Sequence, residues 1–158
     1  MYGLRFLFRI HDFEDKIIKL PSLKRENKLP VVLSHNECRL LFKSGRILKH
    51  RVLLCLIYSA GLRSKEAHNL KLSDIDYDRM MIHIRQTKYN KDRYVPLSKL
   101  MVRGLQKYIE AYHPKVYLFN GKEIGSALSA RGVQWAMKQT VKQSGIAKEV
   151  TVHSLRHS

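Results

Sequence analysis

Three separated places in this sequence carry side chains that could hold an anion and move a proton. Near the end, His153-Ser154-Leu155-Arg156-His157-Ser158 sets an imidazole and a guanidinium three residues apart. In a helix the two share a face, one turn apart. An imidazole transfers protons near neutral pH, and a guanidinium grips an oxyanion through a rigid fork of donors. The second place is Gly61-Leu62-Arg63-Ser64-Lys65-Glu66, where Arg63 sits between one helix end and the next helix start. Amides opened by that start favour an anion beside the guanidinium. Glu66 lies within reach and would hold Arg63 in one rotamer; the plainer alternative is an Arg that only caps the preceding helix or pairs with Glu66. The third place is the cation-rich turn Gln86-Thr87-Lys88-Tyr89-Asn90-Lys91-Asp92-Arg93. Such a tip can enter a nucleic-acid groove, or it can simply be a solvated hairpin.

The elements that must position these groups follow from pattern. Ser34-His35-Asn36-Glu37 reads as a capping box opening a helix that Gly45 stops. Residues 47–60 form a second helix whose Val52-Leu53-Leu54-Cys55-Leu56-Ile57 is apolar nearly all round, which predicts the buried centre of the domain. Gly61 supplies its left-handed stop. Ser64 is expected to cap a short helix through Leu70, and residues 73–78 read as a turn. That turn's aspartates do not make a calcium loop: counted from Asp74, position six is Arg79 rather than Gly and position twelve is Arg85 rather than Glu.

Residues 80–85 and 93–97 read as two strands, with Pro96 at a strand end or sheet edge. A helix over 98–112, a short extended piece at 116–119 and a helix from its cap at Ser129 to about Gln143, closed by Gly145, complete the chain before Val150-Thr151-Val152. The first ten residues place Leu4, Leu7 and Phe8 at helical spacing. Residues 11–29, with Pro21 and five lysines or arginines, have the composition of a basic linker.

The chain holds 158 residues, enough for one domain with a real core. Thirty Lys and Arg against thirteen Asp and Glu give a net charge of +17, a field that favours polyanions and above all nucleic acid. Cys38 and Cys55 form no Cys-x-x-Cys pair, so neither a zinc site nor a disulfide framework is expected. No apolar run reaches the ~18 residues of a membrane span, and the opening segment lacks a cleavage site. The expectation is a cytoplasmic protein that does not enter a membrane.

The ordered set of a buried helix followed by G-L-R-S-x-E, a basic hairpin ending in R-x-V-P-L, and H-S-L-R-H resembles the tyrosine recombinase, or phage integrase, family. The resemblance covers about residues 30–158. It implies a mainly α fold with one small antiparallel β-sheet, the α+β fold of DNA breaking–rejoining enzymes, incomplete at the C-terminus. Residues 1–29 resemble the tail of a core-binding domain plus a basic linker, and 30–158 a catalytic domain cut short.

The resemblance also implies roles. Arg63 and Arg156 would grip the two non-bridging oxygens of a scissile phosphate, Lys88 would protonate the departing 5′ oxygen, and His153 would support proton transfer. Lys91 competes with Lys88, Glu66 is a buttress, and Arg93 is a DNA-backbone or supporting candidate. The partner implied is double-stranded DNA, cleaved and rejoined through a phosphotyrosine ester with no metal and no cofactor. The full-length protein would assemble as a tetramer on DNA, and the fragment would be a monomer. All eight tyrosines precede His153, so none takes the nucleophile's place and the fragment is expected to be inactive alone. The alternative is a non-catalytic DNA-binding module from a decayed or naturally truncated mobile element.

Overall fold

The computed structural model describes residues 10–11, 31–85, 92–123 and 125–158. Lys88 and Lys91, the turn that carries them, and the proposed N-terminal helix and linker lie outside the described residues, apart from Ile10 and His11.

Helix α1 spans His35–Ser44, and Ser34 and Glu37 close the expected capping box: the Ser34 hydroxyl accepts from the Glu37 amide and the Glu37 carboxylate from the Ser34 amide. Helix α2, Leu48–Ala60, is the centre of the molecule. Its Leu53, Leu54, Leu56 and Ile57 are almost wholly buried, and each such side chain contributes roughly 1.5–3 kcal/mol of transfer free energy. Helix α2 is enclosed over most of its circumference; only the face of Arg51 and Ser59 reaches solvent, with Cys55 between them half-buried. Helices α1, α4 (Lys99–Tyr112), α5 (Ala130–Ser144) and α6 (Val152–His157) all pack against it, as does the short α3 (Ser64–Asn69).

A three-stranded antiparallel sheet lies beside this bundle in the order β1 (Ile75–Asp76), β2 (Met81–Ile84), β3 (Arg93–Pro96). Ile82 pairs with Ile75 on one side and Val95 on the other, and Ile84 faces Arg93. Ile82 and Ile84 alternate into the core while Met81 and His83 stay half-buried, the period-two pattern of a one-sided sheet. Pro96 ends β3, where its missing N–H costs no ladder bond. The mainly helical α+β expectation therefore holds.

Two local expectations are corrected. Ser64 is the first residue of α3 rather than its cap; the N-cap is Arg63, whose amide donates to the Glu66 carboxylate, so helical geometry begins one residue earlier than a Ser64 cap would place it. Residues 73–78 are more than a turn: a short 3₁₀ helix, Leu72–Asp74, leads into β1.

The two ends of the described fold meet. The Leu33 amide donates to the Ser158 hydroxyl at 2.8 Å, and the Lys148 ammonium donates to Glu37 at 2.8 Å. Thr151 caps α6 in a reciprocal arrangement with Ser154, and Val152 and Leu155 are buried in the core. A helix of six residues does not persist alone in water, so burial of these two side chains and the cap must hold it.

Candidate phosphate-binding site

Helix α2 delivers Arg63. Gly61 takes the left-handed conformation at φ 58°, and its amide returns to the Ile57 carbonyl. Leu62 is wholly buried, so the chain leaves the helix with one side chain anchored inward and the next, Arg63, turned toward solvent.

Glu66 then fixes that guanidinium. Its carboxylate is 5% exposed and accepts four hydrogen bonds: from the Arg63 amide at 2.8 Å, Arg63 Nη1 at 2.8 Å, Arg93 Nη1 at 2.9 Å and Arg93 Nη2 at 2.8 Å. Burial alone would raise its pKa. The Arg93 hydrogen bonds, followed by those from the Arg63 amide and side chain, outweigh that cost and hold it at about 2. A buried carboxylate is tolerable only with such pairing. Glu66 also ties two elements together, because Arg93 is the first residue of β3 and Arg63 the N-cap of α3.

Around Arg63 lies a cleft of about 630 Å³, lined by Lys65, Glu66, Lys71, Asp74, Arg85 and Tyr117 among others. Both acidic groups in it are engaged: Glu66 as above, and buried Asp74 by Arg85 Nε at 2.7 Å and the Lys71 amide at 2.9 Å. Lys65 and Lys71 are exposed and contribute uncompensated positive charge. The cleft therefore carries an excess of cationic side chains.

Helix α6 carries the other pair. His153 is exposed, and its Nε2 lies 3.0 Å from Nε2 of His157. Arg156 is half-buried and has no acceptor among the described residues. The structure thus joins Arg63, Glu66 and Arg93 directly. It sets His153 and Arg156 on a separate helix that packs on α2, with no hydrogen bond or ion pair to the Glu66 cluster. Lys88 and Lys91 fall between β2 and β3. In the strands on either side of residues 86–91, His83 Nε2 lies 2.9 Å from an Asp92 carboxylate oxygen and the His83 ring stacks on Tyr94 at 4.7 Å.

Sequence reasoning placed the Arg63–Glu66 pair but not Arg93 on the same carboxylate, 27 positions away. Nor did it single out His157 as the neighbour of His153, although the four-residue spacing was a readable signal.

Residues 32–158 match the profile of the phage integrase family. The chain belongs to that family. Within it, the chain is 38% identical, over 99% of its own length and 51% of the other's, to a Sinorhizobium fredii protein named as an integrase/recombinase. It is 34% identical to the tyrosine recombinase XerA of Thermococcus onnurineus, over 99% of this chain and 56% of that one. Among solved structures, XerH site-specific recombinase in a pre-cleavage complex with its difH substrate superposes with a TM-score of 0.75 at 25% identity, over 99% of this chain and 50% of that one. The chain spans about half the length of these integrase-family relatives. No described helix is long and apolar enough to cross a membrane.

Proposed function

We propose that these residues bind duplex DNA and form the phosphate-gripping part of a tyrosine-recombinase active site, in which strands are cleaved and rejoined through a phosphotyrosine ester. The observation that carries the reading is the buried Glu66 carboxylate, which immobilises Arg63 at the mouth of a cationic cleft, in a chain that superposes on XerH site-specific recombinase bound to its difH substrate. In this reading Arg63 and Arg156 neutralise the non-bridging oxygens as charge builds in the pentacoordinate transition state. Donors fixed beforehand need no reorganisation at that moment, which is the value of holding Arg63 by two bonds, from its amide and its guanidinium, to one carboxylate. Lys88 donates the proton that the departing 5′ oxygen requires, and Lys91 is its competitor for that role. His153 assists proton transfer at the phosphate. Residues 1–29 serve as the end of a core-binding domain and a basic linker, and the whole protein assembles as a tetramer on DNA.

None of the eight tyrosines follows His153, and we assign none of them as nucleophile. Covalent catalysis needs its nucleophile held at attack distance, so the 158 residues alone bind without cleaving. Incubation with a nicked suicide substrate is expected to give no SDS-stable protein–DNA band; such a band would overturn the assignment. Binding itself is tested by salt. Neutralising about six phosphates gives a slope of log K against log salt of roughly −5 on duplex DNA, whereas salt-independent binding would refute a phosphate-gripping cleft.

A further inference from the structure

We propose that His153 and His157 form an open two-imidazole chelate for a late first-row divalent ion, Ni²⁺, Cu²⁺ or Zn²⁺. The two histidines lie four residues apart on α6, the spacing that puts imidazoles side by side on one helical face and that recurs in helix-borne zinc sites. Their Nε2 atoms are 3.0 Å apart and the rings meet edge to face at 85°, with centroids at 4.4 Å. Two nitrogen ligands at about 2.1 Å on adjacent corners of a square or octahedron are themselves roughly 3.0 Å apart, so the observed separation is that of cis ligands. In the apo arrangement one ring's N–H points at the other's lone pair. Transfer of that proton to Nδ1 of the same ring, giving the other neutral tautomer, and a modest tilt of two exposed side chains turn both Nε2 lone pairs onto one ion.

The backbone beneath is fixed, since Thr151 caps the helix and Val152 and Leu155 anchor it in the core. The chelate is therefore preorganised, and the second bond forms within the molecule once the first is made. No third His, Cys, Asp or Glu among the described residues converges here, so water fills the remaining positions and the site stays open. Neutral imidazoles suit these ions better than calcium or magnesium, which prefer oxygen.

Such an ion is not one that the proposed phosphoryl transfer calls for. It occupies the His153 nitrogen that the proposed function assigns to the phosphate, and so metal and DNA compete. This last step rests on that assignment.

The test is isothermal titration of the intact chain with Ni²⁺ at pH 7.5, paired with pulsed electron spin resonance of the Cu²⁺ form. We expect a saturable site whose affinity falls at least about tenfold in His153→Ala and equally in His157→Ala, because each leaves a single ligand. His83→Ala and His113→Ala are expected to leave it unchanged, and circular dichroism of each variant checks that α6 and the fold persist. The Cu²⁺ spectrum is expected to show two equatorial imidazoles. Unchanged affinity in His157→Ala, or a single imidazole in the spectrum, would overturn the chelate. Metal binding that leaves DNA affinity unaltered would keep the chelate and overturn instead the placement of His153 at the phosphate.

Discussion

Replacement of Glu66 by Gln tests whether this carboxylate organises the site. The substitution keeps the shape and one carbonyl acceptor while removing the charge that faces Arg63 and Arg93. Burial is outweighed by the two arginines and the Arg63 amide, which hold the Glu66 carboxyl at about 2, against 4.5 for a free glutamate. At about 1.4 kcal/mol per unit, the folded state therefore favours the charged over the neutral carboxyl by roughly 3 kcal/mol. Arg63 and Arg93 are 42% and 33% exposed, so both can recover some hydration when the charge is removed. The expected loss is accordingly smaller, about 2 kcal/mol at pH 7. The pH dependence has a definite sign. A carboxylate whose pKa is depressed by folding contributes its full stabilisation above its unfolded value near 4.5 and loses it as pH falls toward 2. Urea midpoints measured from pH 7 down to pH 3 should therefore show the wild type losing ground on Glu66→Gln below about pH 4.5, until the two approach one another. Equal stability at pH 7, or curves that stay parallel down to pH 3, would refute the claim that Glu66 is the ionised anchor of both arginines.

Three further outcomes are expected. Arg156→Gln should weaken duplex binding and reduce the magnitude of the salt slope by about 1, as measured by fluorescence anisotropy across a salt series, because no partner among the described residues compensates the Arg156 charge. Leu155→Ala removes a fully buried side chain from α6 and should cost about 2–5 kcal/mol in urea unfolding, with the protection of α6 amides falling furthest in hydrogen exchange. Gly61→Ala places a Cβ in open space but at φ 58°, so its cost of about 1 kcal/mol in thermal unfolding comes from the backbone alone.

Local chemistry was legible in the sequence wherever one residue type at one spacing decides a conformation. Ser34 with Glu37 fixes the start of α1, and Gly61 and Gly145 end α2 and α5 in the left-handed region. The all-round apolar run of α2 announced burial. What stayed hidden depends on tertiary partners. Strand β1 is two residues long, too short for any period, and exists because Ile75 finds Ile82. Ser64 is a favoured cap residue, yet Glu66 satisfies the Arg63 amide and moves the helix start. The order of residues 150–158 was likewise invisible, since it rests on Leu155 in the core and on Ser158 reaching Leu33 across the fold.

The two arginines assigned to the phosphate are held in different ways, and the difference follows from where each is rooted. Arg63 leaves a rigid helix end with part of its charge already answered by Glu66, so it contributes fixed direction more than raw field. Arg156 stands on a short helix with no counter-ion among the described residues and contributes charge that an incoming anion can answer. A site with two fully paired arginines would be stable but weakly attractive to DNA. One with two unpaired arginines would repel itself and hold neither in place. Glu66 resolves this by pairing Arg63 with Arg93 rather than with Arg156. The hairpin strand that leads from Lys88 and Lys91 is thereby pinned to the same carboxylate that aims Arg63, while the charge needed for the ligand stays on α6.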